Sequence, residues 1–155
     1  MADSRRQRIV AAVVTRMAVI NGAGNYVTNI AGRVKDSETN WAQDQSTLPA
    51  ISVFDGDAEA VPTSTGRTLG TIHVMSVLIK GYCEQGTTAA AARNLIKDIK
   101  TAIRQDDKWT VSNVQLVMQT REKREGIVRN QDSFEVEGCE VEIEVQFQTD
   151  KFNSE

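Results

Sequence analysis

The chain is short of the residues on which most small sites are built: one histidine, two cysteines and two prolines in 155 residues. His73 with the distant Cys83 and Cys139 cannot form the closely spaced ligand set of a zinc site. Two cysteines are also too few for a disulfide framework and suit a reducing compartment. No stretch approaches the ~18 apolar residues of a membrane span, so no membrane association is expected. The N-terminal MADSRRQRIVAAVV has a basic start, but Thr15 and Arg16 break its apolar run and the layout is not that of a secretory signal. Excess charge of one sign is missing as well: 18 Lys and Arg against 21 Asp and Glu give −3, which offers no global basic field for nucleic acid. What is present is an ordinary globular composition, 40% hydrophobic and 25% charged. A chain of this size reads as one domain, residues 1–155, whose core needs neither disulfide nor metal.

Hydrophobic spacing organises the chain. Ile9, Val13, Met17 and Ile20, widened by Val10 and Val14, predict an amphipathic helix. Ser4 followed by Gln7 is a capping-box start, and Asn21-Gly22-Ala23-Gly24-Asn25 supplies the residues that end it. From Tyr26 to Val34 the period becomes two, predicting a first strand. Residues 35–47 read as a polar loop or hairpin extension. A second strand begins around Leu48-Pro49 and runs through Phe54, with Pro49 at its start or on an edge. Residues 55–67, DGDAEAVPTSTGR, read as a loop. Thr71 to Tyr82 is apolar on both faces, as a central strand should be. A Thr-capped helix follows Gly86-Thr87-Thr88 and buries Ala92, Leu95, Ile96, Ile99 and Ile103. Val114, Leu116 and Met118 open another strand, and the run Arg121-Glu122-Lys123-Arg124-Glu125-Gly126 reads as its tip or turn. In the last strand Cys139, Val141, Ile143, Val145 and Phe147 alternate with Glu140, Glu142, Glu144, Gln146 and Gln148. Phe134 and Val136 are out of phase with it, so a bulge is expected at Gly138. The expected fold is α+β, an antiparallel-dominated (mixed) β-sheet with two α-helices packed on one face, in the order αβββ–α–βββ.

Catalytic constellations do not assemble. His73 sits mid-strand and reads as a core or interface histidine; a Cys–His pair would lack a third group to orient it. Asp55-Gly56-Asp57-Ala58-Glu59 starts like a calcium loop, but Ala60 and Gly66 stand where Gly and Glu are needed. Asn21-Gly22-Ala23-Gly24 follows a helix instead of a strand. Thr65-Gly66-Arg67-Thr68 lacks the lysine and leading glycine of a phosphate loop. The chain therefore reads as a non-enzyme without cofactor or metal. Its candidate interaction residues are charged. Arg5, Arg6 and Arg8 form an N-terminal basic cluster, in which Arg5 and Arg6 oppose the dipole of the first helix. Arg121, Lys123 and Arg124 form a second basic cluster, and no aromatics interleave with either. Glu140, Glu142 and Glu144 line one strand face and read as an exposed face with gatekeeping charges or as a surface that meets cations or repels a polyanion.

The order of elements resembles a known family. An amphipathic N-terminal helix leads into NYVTNIAGRV and LPAISVF; TIHVMSVLIKGY precedes TTAAAARNLIKDIKTAI; a late strand pair ends in EVEIEVQFQ. Over roughly residues 4–149 this is similar to the tail terminator and tail-completion proteins of tailed bacteriophages, the minor tail protein U family among them. The resemblance implies a structural virion protein of the tail, assembled in the host bacterial cytoplasm. Such a protein forms a homohexameric ring, caps the tail tube, ends its polymerisation and presents a surface to the head connector, with DNA only as passing cargo. The resemblance rests on order and texture, so it carries no site residues over. Two other readings stand beside it: a neck or head–tail joining protein of similar build, and a small α+β nucleic-acid- or ligand-binding module using Arg121–Arg124.

Overall fold

A computed structural model describes residues 4–43, 45–61 and 70–150. Helix α1, Arg5–Met17, starts where the capping box predicts: the Ser4 hydroxyl oxygen accepts the Gln7 N–H at 3.1 Å. The predicted stripe Ile9, Val13, Met17 and Ile20 is fully buried, although the helix itself stops at Met17. Helix α2, Ala89–Gln105, is capped by Thr88, whose side chain accepts from the Ala91 N–H. Ala92, Leu95, Ile99 and Ile103 are buried as expected, and Ile96 packs half-buried beside them. Each fully buried aliphatic side chain contributes about 1.5–3 kcal/mol.

The strands are β1 (Val34–Asp36), β2 (Ala50–Val61), β3 (Gly70–Tyr82), β4 (Thr110–Val111), β5 (Val114–Gln115), β6 (Gln119–Arg129) and β7 (Val136–Asp150). Five of them form one sheet in the order β1-β2-β3-β7-β6; among the described residues β4 and β5 pair only with each other. The β1–β2 pair is parallel and the other pairs are antiparallel, so the sheet is mixed and the fold is α+β. β3 lies at the centre, as its two apolar faces predict. Both helices cover the face that carries Val53, Val77, Ile79, Val141 and Ile143, with α1 against β1 and β2, and α2 against β3, β6 and β7. Backbone and helix approach closely at one point: a Cβ on Gly81 would lie 2.5 Å from Leu95 Cδ2. Behind it, a Cβ on Gly138 would lie 1.9 Å from the Gly81 carbonyl oxygen, so neither position accepts a side chain without movement.

The strand expected to open at Val114, Leu116 and Met118 is not one strand, because Val114–Gln115 pairs with β4 and β6 starts only at Gln119. Four further expectations fail for a tertiary reason. The strand predicted from Tyr26 to Val34 shrinks to Val34–Asp36. Asp98, fully buried on α2, takes the N–H groups of Val27 and Thr28 on its carboxylate at 2.7–3.1 Å and holds this segment off the sheet. Asn29 turns the chain by accepting the Ala31 N–H, and Ala31 and Gly32 have positive φ. Residues 35–47 are not a free loop. Two 3-10 turns, Trp41–Gln43 and Gln45–Thr47, fold back over the uncovered sheet face. There Trp41 packs on Leu48, Ala50 and Tyr82 and donates its indole N–H to Ser52 Oγ at 2.9 Å. The expected loop from Asp55 is the second half of β2 as far as Val61; the register shift between Asp55 and Ala58 absorbs its polar residues, and 62–69 lie outside the described residues. The run Arg121–Gly126 is no tip but the middle of β6. The expected bulge near Gly138 is present: Val128 and Arg129 of β6 face Gly138 and Val136, so Glu137 is the extra residue on β7.

Candidate interaction surface

The run REKRE changes meaning once it is a strand beside β7. Alternation points Arg121 and Arg124 to the uncovered face and Glu122 and Glu125 toward α2. A register shift between Glu122 and Arg124 takes up the extra residue, Lys123, which reaches the same Glu144 as Arg121. On the uncovered face Arg124 donates to Glu142 and Glu140, both at 3.0 Å. Lys123 lies 3.5 Å and Arg121 4.0 Å from Glu144. On the helix side Arg104 forks onto Glu122 at 2.9 and 3.1 Å, and Lys100 reaches Glu125 at 3.2 Å. The hydrogen bonds that Arg124 donates to Glu140 and Glu142 raise its pKa, and those that Arg104 donates to Glu122 raise that of Arg104.

The two charged clusters that look like separate patches in sequence are therefore one intramolecular ladder. Glu140, Glu142 and Glu144 do meet a basic neighbour, but it is β6 of the same chain. Exposed pairs of this kind stabilise little one by one, yet together they fix strand register and remove the repulsion of three like charges on one face. Among the described residues the N-terminal arginines join no such cluster. Arg6 is committed to β2, donating to Asp55 Oδ2 and to the Gly56 carbonyl, both at 2.5 Å. Arg5 is half-buried in the first turn of α1, and Arg8 is exposed one turn later. They lie at the β1–β2 side of the sheet, away from β6.

The nucleophile candidates are kept apart. Burial pushes the Cys83 thiol up to about 11 and the Cys139 thiol up to about 12, so both are protonated at neutral pH. His73 stands opposite Phe147, whose ring it stacks on at 5.2 Å, and its Nε2 is 3.1 Å from Thr149 Oγ1. Cys139 pairs with Gly81, eight residues along β3 from His73, about 26 Å at strand rise. Among the described residues no group of three or more His, Cys, Asp or Glu is arranged to hold a metal ion, and no helix is long and apolar enough to cross a membrane.

Two surface features went unread in the sequence. One is a groove between α1 and the β4–β5 hairpin; the other is the β6–β7 turn, which carries Phe134 with 71% of its surface exposed. A lone aromatic inside the polar run NQDSFEVEG was the available signal for the second. The first needs three segments brought together and had none. Compared with known proteins, the chain matches no family model and no curated protein.

Proposed function

We propose that the chain is a structural subunit of a phage tail, a tail terminator or tail-completion protein. It assembles as a homohexameric ring that caps the tail tube, ends its polymerisation and offers the head connector a surface. The observation that supports this reading is the sheet's open rim. Among the described residues no strand pairs with the outer side of β6 along its 11 residues, and β1 covers only Ile51–Val53 of β2, leaving Phe54–Val61 without a strand partner on that side. Edges of this length invite pairing with other chains, and a heterologous contact that closes gives a ring. The charge ladder fits the same role, because cations bonded to Glu140, Glu142 and Glu144 are poorly placed to grip passing DNA.

The test is the mass of the purified protein by light scattering, followed by negative-stain imaging of mixtures with the tail tube protein of the same genome. The expected result is a six-fold ring, free or on tube ends, and shortened tubes. A monomer that stays monomeric with tube protein and leaves tube length unchanged overturns the reading.

A further inference from the structure

The two unread surface features are complementary. The groove is walled by Ala12 and Thr15 of α1 and Val19 just beyond its end on one side, and by Trp109, Val111 and Leu116 on the other. Its volume is about 440 Å³; a dry cavity of about 150 Å³ is enough for a benzene ring. Val19 and Val111 leave 42% and 44% of their surface in solvent, and Val114 on the hairpin and Met118 just past it leave 43% and 45%. Arg8 stands at the rim and has no carboxylate partner among the described residues.

The β6–β7 turn has the opposite character. The Asn130 side chain accepts the N–H groups of Asp132 and Ser133 at 2.9 and 3.1 Å, the Asn130 N–H donates to the Glu135 carbonyl, and Arg129 donates to the Phe134 carbonyl. The turn is thus built in advance, so docking it costs little ordering entropy. Phe134 has φ +58°, a conformation that disfavours a bulky side chain, and still turns its ring to water. Asp132 and Glu135 flank it and have no cationic partner among the described residues. An aromatic with acids beside it matches an apolar groove with an arginine at its lip.

Groove and turn cannot meet within one molecule. Leu116 precedes β6 and Phe134 follows it, and the 11 residues of β6 separate them by roughly 35 Å. We infer that the Phe134 turn of one copy docks in the α1–hairpin groove of the next, with Asp132 and Glu135 toward Arg8. The contact is head-to-tail, so it repeats from copy to copy and closes if the rotation per copy allows. It deepens the ring reading and rests on it for closure.

Two single variants test it, Phe134→Cys and Ala11→Cys, the latter at an exposed groove position. Cys83 and Cys139 are buried, so only the new thiols react in the folded protein. Under mild oxidation the mixture is expected to give a disulfide-linked dimer that neither variant gives alone. Phe134→Asn keeps a residue suited to the left-handed backbone and removes the ring; self-association by sedimentation equilibrium is expected to weaken about tenfold or more. A Phe134→Cys homodimer without the mixed dimer, or Phe134→Asn associating like the parent chain, overturns the contact. Rings that persist in Phe134→Asn overturn the contact and leave the ring standing. Mixed dimers without rings or tube capping keep the contact and overturn the proposed function.

Discussion

The two faces of the sheet bury the same strand in different ways. Along β7, Val141, Ile143 and Val145 enter a dry layer under α2, while Glu140, Glu142 and Glu144 lie against arginines and a lysine that remain largely in water. Polar groups follow the same division. On the covered side Asp98 is fully buried and has three contacts from two backbone N–H groups. On the open side each carboxylate keeps part of its surface wet, and salt can replace its partner. One face holds the main core; the other carries the smaller Trp41 cluster and, along β6 and β7, the charges that the surface shows to neighbours.

The sharpest way to break this contrast is to cut both faces of one strand. Ile143→Ala is expected to cost about 3 kcal/mol in urea unfolding, the usual figure for a fully buried aliphatic side chain, whereas Glu142→Ala next to it moves the midpoint far less. Equal losses would show that the open face is structural too. Asp98→Ala comes next, at about 2 kcal/mol, because two backbone donors lose their acceptor; faster hydrogen exchange confined to Val27 and Thr28 would be its local signature.

Asp106 stands at the border between the two regimes. Burial pushes its carboxyl up, but N–H groups of Thr110 and Lys108, the Thr110 hydroxyl and the Arg16 guanidinium outweigh burial and hold it below the usual range. A depressed carboxylate stabilises the fold above its unfolded value of about 3.9 and loses that contribution as pH falls through the folded pKa. Asp106→Asn is therefore expected to be less stable than the parent chain at neutral pH, with the gap closing below about pH 4. A gap that persists unchanged at low pH would assign the loss to hydrogen bonding alone. The smallest effect is reserved for the ladder: the coupling between Arg124→Ala and Glu142→Ala in a double-mutant cycle should be measurable at low salt and fade as salt rises.

Much of the covered face was legible beforehand. The stripe of α1, the caps at Ser4 and Thr88, the alternation of β7 and the central place of β3 all follow from local periodicity, which is written in the order of residues. Asp98 could have been noticed as a charge within the phase of the α2 stripe, but its partners, about 70 residues away, could not. The open face was hardly legible. A run such as REKRE suits a solvated turn as well as a strand, and only a facing row of glutamates selects the strand.

The order of residues determined the α+β class, the two capped helices and the apolar side of each main strand, because these depend on spacing within one element and on removing apolar area from water. Tertiary structure decided which charges cancel, where the chain between α1 and β2 goes, and that an apolar groove and an exposed Phe134 stand at opposite ends of β6. Those outcomes depend on contacts between residues far apart in sequence, whose energies come into being only when the sheet is assembled.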